Sequence, residues 1–257
     1  MAGYRIQRFG WVLGYSSGSR VHRASRGSSH DRYPSRISSD SGYGVRENRT
    51  NTSARNGRDM NKLKTFDMIV AAGRNGEIGY KGRIPWPMLR TDLKFLADKS
   101  TVTIDKAKQN AVIMGRKTWE SIPLNKRPLK KRFNVVITSM PKSVSGAHAV
   151  FASVTEAVVT LSDDPAIESI YIFGGSGIYS ECIKSPLCNK IYYTDIEGTF
   201  EADAFFPPID PDFYRLVSDS SVPQGELCEN GVKYCFKVYQ RTNEGMSTEK
   251  STEGITE

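Results

Sequence analysis

The sequence predicts an α/β fold of three layers: a central, mostly parallel sheet of about eight strands, antiparallel at its C-terminal end, with helices on both faces. Three observations lead there. Short apolar runs rich in Val, Ile and Phe recur from Met68 onward. Up to Ile183 most of these runs lead into a segment with helical signals, and strand–helix alternation is the mark of a parallel sheet covered on both sides. Beyond that point, three strand-like runs follow one another with no helix between them, which predicts an antiparallel finish.

The first run, Met68–Ala72, leads through a glycine-rich loop, Gly73–Gly82, to a rigid Pro85-Trp86-Pro87 corner and then to a helix bearing Asp92. Residues three and four away on a helix are neighbours, and for Asp92 these are Met88, Leu89, Phe95 and Leu96, all apolar. A carboxylate in an apolar stripe is costly unless it has partners. Asp92 is therefore either a structural anchor or a working group. Asn110–Gly115 reads as a buried strand that runs straight into a short helix, Arg116–Ile122, stopped by Pro123. Phe133–Thr138 is the next apolar strand and Ala147–Phe151 a weaker one. A helix from Ser153 to Leu161 follows, with Ser153 as N-cap and Glu156 three residues on as the acid of a capping box. Ser169–Phe173 is another strand, and Gly174-Gly175 opens the helix Ser176–Ile183. Lys190–Ile196, Tyr214–Ser218 and Lys233–Gln240 form the finish.

The net charge of +8 is unevenly shared. Residues 1–60 hold 11 Arg, no Lys and four acids, or +7, which leaves +1 for the rest. The basicity thus belongs to the N-terminal segment, and no nucleic-acid partner is expected for the folded part. Three divisions follow. Residues 1–62 form an Arg/Ser/Gly-rich extension expected to be disordered, residues 63–242 form the globular domain, and residues 243–257 form a polar tail expected to fray. Five Arg and no acid before Asp31 fit a mitochondrial transit peptide. The alternative is an extension upstream of a start at Met60, and a cytoplasmic protein. Cys182, Cys188, Cys228 and Cys235 show no CxxC spacing, so reduced thiols are expected and no metal site. No apolar run is long enough to span a membrane.

Two strand-to-helix turns present backbone N–H groups of the kind that hold phosphates. One is Gly115-Arg116-Lys117-Thr118, and the other is Gly174-Gly175-Ser176-Gly177, where missing side chains let a pyrophosphate approach the backbone. Together they suggest a ligand with separated phosphates, such as a dinucleotide. Gly175-x-Gly177-x-x-Ser180, with Asp195 further on, nearly matches the Rossmann fingerprint, but its third small residue is Ser and the unit sits late in the chain. Lys126–Arg132 holds five cations in seven residues. A solvated loop is the bland account of it. The sharper one is that Arg132, at a strand entrance, clamps a carboxylate bidentately.

These residues resemble a family. Val70-Ala71, Gly79, Ile84-Pro85-Trp86, Asp92-Leu93, Val112–Pro123, Arg127–Arg132, Ile172–Tyr179, Tyr193-Thr194 and Asp203–Pro207 look like dihydrofolate reductase, in that family's order and at its approximate spacings, over about residues 65–241. With no thymidylate synthase segment following, the resemblance is to the monofunctional enzyme, expected as a monomer. It implies NADPH-dependent reduction of dihydrofolate to tetrahydrofolate, in support of one-carbon metabolism and thymidylate synthesis. Asp92 aligns with the family's single pocket acid, buttressed by Thr194, with Trp86 ordering a nearby water. Ile69, Val70 and Ala71 would line the pterin floor, and Ile69 and Phe173 would lend carbonyls. Leu93, Ile122 and Leu129 would pack the aminobenzoyl group, and Arg132 would grip the glutamate α-carboxylate. Ala71, Ile78, Gly79, Arg116, Lys117, Thr118, Thr138, Ser139, Gly174, Gly175, Ser176, Gly177, Ile178 and Tyr179 would hold NADPH, with a cis Gly174-Gly175 bond. The glycine loop becomes a candidate lid. Two features depart from the family. Leu96 stands where a Phe usually contacts the aminobenzoyl ring. Ala152 and Ser139 replace arginines that some members use against the 2′-phosphate, while Arg116 and Thr138 remain.

Overall fold

The structure is a computed structural model, and it describes residues 62–242. The readings of the N-terminal extension and of the tail fall outside the described residues. Among the described residues, eleven strands and four α-helices are formed. Nine of the strands make one sheet in the order β10-β11-β7-β1-β6-β3-β4-β5, with β9 paired to β11. From β7 to β5 every pairing is parallel, and β9, β10 and β11 are antiparallel additions at the other edge. The strands are β1 Phe66–Ala72, β3 Gln109–Gly115, β4 Arg132–Ile137, β5 Ala149–Phe151, β6 Ile167–Ile172, β7 Cys188–Ile196, β9 Tyr214–Val217, β10 Glu226–Glu229 and β11 Val232–Arg241. β2, Glu77–Gly79, and β8, Ala204–Phe205, form a separate two-stranded sheet.

Successive strand side chains point to opposite faces, and this alternation sorts the core into two layers. Met68, Val70, Ala111, Ile113, Val135, Ile170, Ile172 and Ile191 face the first layer. There they meet Val154, Ala157, Val158 and Leu161 of α3 (Val154–Asp163) and Tyr179 and Cys182 of α4 (Ser176–Cys182). Ile69, Val112, Met114, Val136, Tyr171 and Tyr192 face the second layer, which is closed by Phe95 of α1 (Arg90–Thr101) and Trp119 of α2 (Arg116–Ser121). Because both faces are covered, the central strands read as unbroken apolar runs. α3 starts as its sequence dictates: Ser153 Oγ accepts a hydrogen bond from the Glu156 N–H at 3.2 Å.

Cys182 and Cys188 are buried, Cys235 is half-buried and Cys228 is exposed, all four as free thiols. Burial raises Cys188 to about 12 and Cys182 higher still.

One local expectation needs correcting. α1 begins at Arg90, with Leu89 at its N-cap, so Met88 lies before the helix and is 59% exposed. The apolar neighbours of Asp92 are Leu89, Phe95 and Leu96, of which Leu89 and Phe95 are buried. Trp86 and Leu89 share a small core with Ile196 and Tyr234, packed from the β10–β11 hairpin.

Candidate active site

Asp92 sits in the first turn of α1. Its carboxylate Oδ1 accepts a hydrogen bond of 2.7 Å from the Thr194 hydroxyl. Thr194 is itself buried in β7, so the pair is held by two rigid elements. Burial raises the Asp92 pKa, the Thr194 hydrogen bond pulls it back, and the negative charge of Glu229 raises it further. The net direction is upward, which is what an acid–base group working near neutral pH requires. Trp86 is buried beside the site, edge-on to Phe200 with ring centroids 5.4 Å apart.

The β1 side chains divide between the faces. Ile69 faces the layer shared with α1, and Ala71 packs on the Trp86 cluster. Val70 faces the opposite layer, so only its backbone is presented on the Asp92 side. The Ile69 carbonyl accepts a 2.7 Å hydrogen bond from the Tyr179 hydroxyl, a link absent from the sequence reading that ties α4 to the pocket floor. Leu93 is exposed at 41%, while Leu96, Ile122, Leu129 and Phe173 are partly buried against the α1-side layer.

Arg132 opens β4 and is 9% exposed. Its Nη1 donates to Ser100 Oγ at 2.8 Å and its Nε to the Lys130 carbonyl at 3.1 Å, and no carboxylate pairs with it among the described residues. Burial lowers its pKa from the ordinary guanidinium value. The Ser100 bond from α1 thus fixes the guanidinium at the entrance of β4. Beside it lies a cavity of about 630 Å³ lined chiefly by Lys126–Arg132 and His148.

The two glycine turns lie side by side because β3 and β6 are neighbours. The Gly115 N–H donates to the Gly174 carbonyl at 2.7 Å. A Cβ on Gly175 would approach Thr118 Oγ1 to 3.2 Å, and one on Gly174, whose φ is +83°, would collide with the Tyr179 ring at 2.3 Å. The Gly174-Gly175 peptide bond is cis. Gly177 faces open space. This bare backbone cradle fits a dinucleotide's phosphates, with Lys117 exposed at its edge and Thr138 buried nearby at the end of the β4 segment. Arg116 donates to both Glu120 oxygens at 2.8 Å, and Ser139 is exposed. Ser176 Oγ accepts from the Phe205 N–H at 3.0 Å.

The glycine loop is more ordered than its composition suggests. Ile78 is partly buried against the α3/α4-side core, and the Asp203 N–H donates to the Gly79 carbonyl at 2.9 Å. Glu77, buried at 2% exposure, folds back so that its carboxylate accepts from the Asn75 N–H at 2.8 Å and from the Asn75 amide at 3.0 Å. Burial opposes its ionisation, but these donors and further backbone N–H groups prevail and hold its pKa down. Nothing in the sequence pattern signals it, since its partners are mostly backbone.

A second group escaped sequence reading. Glu229, ending β10, accepts from the Arg90 N–H at 2.7 Å (Oε2) and from the Thr91 N–H at 3.1 Å (Oε1). Asn230 donates its side-chain amide to the Met88 carbonyl at 2.7 Å. Among the described residues no cluster of three His, Cys, Asp or Glu side chains could hold a metal, and no helix is long and apolar enough to cross a membrane.

Comparison with known proteins agrees with this geometry. The family model described as dihydrofolate reductase matches residues 65–241. The dihydrofolate reductase of Aedes albopictus is 40% identical over 184 residues, which is 70% of this chain and 98% of the relative. That of Sus scrofa is 39% identical over 187 residues, covering 70% of this chain and all of the relative. Among solved structures, Schistosoma mansoni dihydrofolate reductase superposes with a TM-score of 0.62 at 31% identity, covering 69% of this chain and 98% of that one. With Asp92, Thr194 and the twin glycine turns all inside the matched span, the chain belongs to the dihydrofolate reductase family.

Proposed function

We propose that the chain reduces 7,8-dihydrofolate to 5,6,7,8-tetrahydrofolate with NADPH, by hydride transfer to pterin C6 and protonation of N5. The product would feed one-carbon metabolism and thymidylate synthesis. The observation that carries this proposal is the Asp92–Thr194 pair, a partly buried carboxyl that accepts from the Thr194 hydroxyl and has a raised pKa. Bound NADPH supplies the hydride. The chain's own residues bind, orient and exclude water. Asp92 hydrogen-bonds the pterin N3 and 2-amino group and promotes protonation of N5, with Trp86 ordering a water beside it. Ile69, Ala71, Phe173 and the Val70 backbone hold the ring. Leu93, Leu96, Ile122 and Leu129 pack the aminobenzoyl group, and Arg132 takes the glutamate α-carboxylate. On the cofactor side, the Gly174–Tyr179 turn with Arg116, Lys117, Thr118, Thr138 and Ser139 would hold the phosphates and ribose, and Ala71, Ile78 and Gly79 would contact the rest of the cofactor. Arg116 engages Glu120 through Nη1, which leaves its other guanidinium N–H groups to meet a phosphate. The protein acts as a cytoplasmic monomer, or in the mitochondrion if the Arg-rich extension is a transit peptide.

A spectrophotometric assay tests this directly. NADPH oxidation should require dihydrofolate, and its absence with correctly folded protein would overturn the proposal. Because the active-site carboxyl must hold a proton, turnover should fall as pH rises through the raised Asp92 pKa.

A further inference from the structure

We propose that the turn of the β10–β11 hairpin is a positioning element for the active site, in which Glu229 and Asn230 hold the start of α1 and Glu229 presents a fixed negative charge to Asp92. This rests on Asp92 being the proton-handling group. A helix leaves its first N–H groups without internal partners. At α1 the N-cap residue is Leu89, which offers no side-chain cap. The missing acceptor comes from Glu229 instead, whose two oxygens take the Arg90 and Thr91 N–H groups, while Asn230 takes the Met88 carbonyl. Three of the four residues directly before Asp92 are thus pinned by two adjacent residues of one turn. Asn230 at φ 51° and Gly231 at φ 79° give the doubly left-handed turn that suits a two-residue hairpin and points its flanking side chains at α1.

The Tyr234 hydroxyl donates to the same Glu229 carboxylate, and its ring packs with Trp86 and Leu89. Donors from Tyr234 and Thr91, with the Arg90 and Thr91 backbone, hold the Glu229 carboxyl down to about 2, so it is charged at every working pH. The groups around Asp92 are Thr194 from β7, the neutral phenols Tyr179 from α4 and Tyr234 from β11, and Glu229 from β10. Arg90 and Lys94 on α1 itself are exposed. Of these, Glu229 is the charged group whose field reaches Asp92, and a like charge favours the protonated acid.

The experiment is the pH profile of turnover in three proteins, each checked for fold by circular dichroism. In the wild type, turnover falls as pH rises through the raised Asp92 pKa. Glu229→Gln should move the midpoint of that fall down by roughly half a pH unit, the size expected of one like charge partly screened by water. Tyr234→Phe removes a donor that neutralises part of the Glu229 charge, and should move the midpoint up by a smaller amount. Opposite displacements support the proposal. A folded Glu229→Gln protein with an unmoved midpoint overturns it, because a cap that acts only structurally lowers turnover at all pH values alike. Should Glu229→Gln fail to fold, Tyr234→Phe decides: an upward move supports the proposal, and no move or a downward one overturns it. If instead Asp92→Asn keeps full turnover, the role of Asp92 itself falls, and that is visible without any Glu229 variant.

Discussion

α3 and α1 start in opposite ways. α3 is capped by Ser153, three residues from the N–H it receives. α1 is capped by a glutamate 138 and 139 residues further along the chain. A local cap forms whenever its few residues become helical. A remote cap exists only once the sheet's antiparallel edge is complete, so it adds nothing to the helix in isolation. α3 covers the core and needs only to be a helix. α1 carries the acid and needs to be a helix in one place relative to β7. The helix proposed to serve the chemistry is positioned by tertiary structure, and the one that serves as scaffold is positioned by its own sequence.

Four substitutions test this contrast, in falling order of effect. Asp92→Asn removes what the α1 start is built to hold. Turnover should drop on the order of 10³-fold, about 4 kcal/mol in the barrier, with NADPH binding measured by fluorescence titration retained. The same variant has a signed effect on stability. The Asp92 pKa is raised in the fold, so its contribution is fully present below the ordinary carboxylate value of 3.8 and is lost as pH rises through the folded value. Thermal melts of wild type and Asp92→Asn should therefore converge in acid and separate toward neutral pH, with the Asn protein the more stable. Leu161→Ala, in the buried face of α3, should lower the unfolding free energy by about 3 kcal/mol in urea while leaving turnover per folded molecule unchanged. Ser153→Ala should cost about 1 kcal/mol, again with no kinetic effect. If it depressed turnover in proportion to stability, the division between scaffold and site helices would be wrong. Lys94→Ala breaks an exposed pair with Asp98 on the solvent face of α1 and should cost less than about 0.5 kcal/mol.

Much of the fold was legible because the central strands are apolar on both faces and each is closed by turn or capping chemistry. The strands that escaped are β2, β8 and β10, short segments held by pairing rather than by burial. β10 did leave a trace: Asn230-Gly231 is a dipeptide that favours a tight hairpin, and it stands directly before the apolar β11. The setting of Asp92 was legible in kind but not in detail. Helical spacing points to Met88, which the structure leaves outside α1, whereas Tyr234 and Glu229 are distant in sequence and share no period with Asp92. Glu77 was illegible for a different reason, since mostly backbone partners leave no side-chain pattern.

The distribution of cysteines has a practical use. Cys182 and Cys188 are shut inside the core with their thiols held protonated, so thiol reagents in water meet Cys228 first, with half-buried Cys235 as the slower competitor. Cys228 directly precedes Glu229. A fluorophore attached there, in a Cys235→Ser background, would sit at the base of the hairpin turn and give an optical readout of its grip on α1 during turnover, without altering any residue assigned to the pocket.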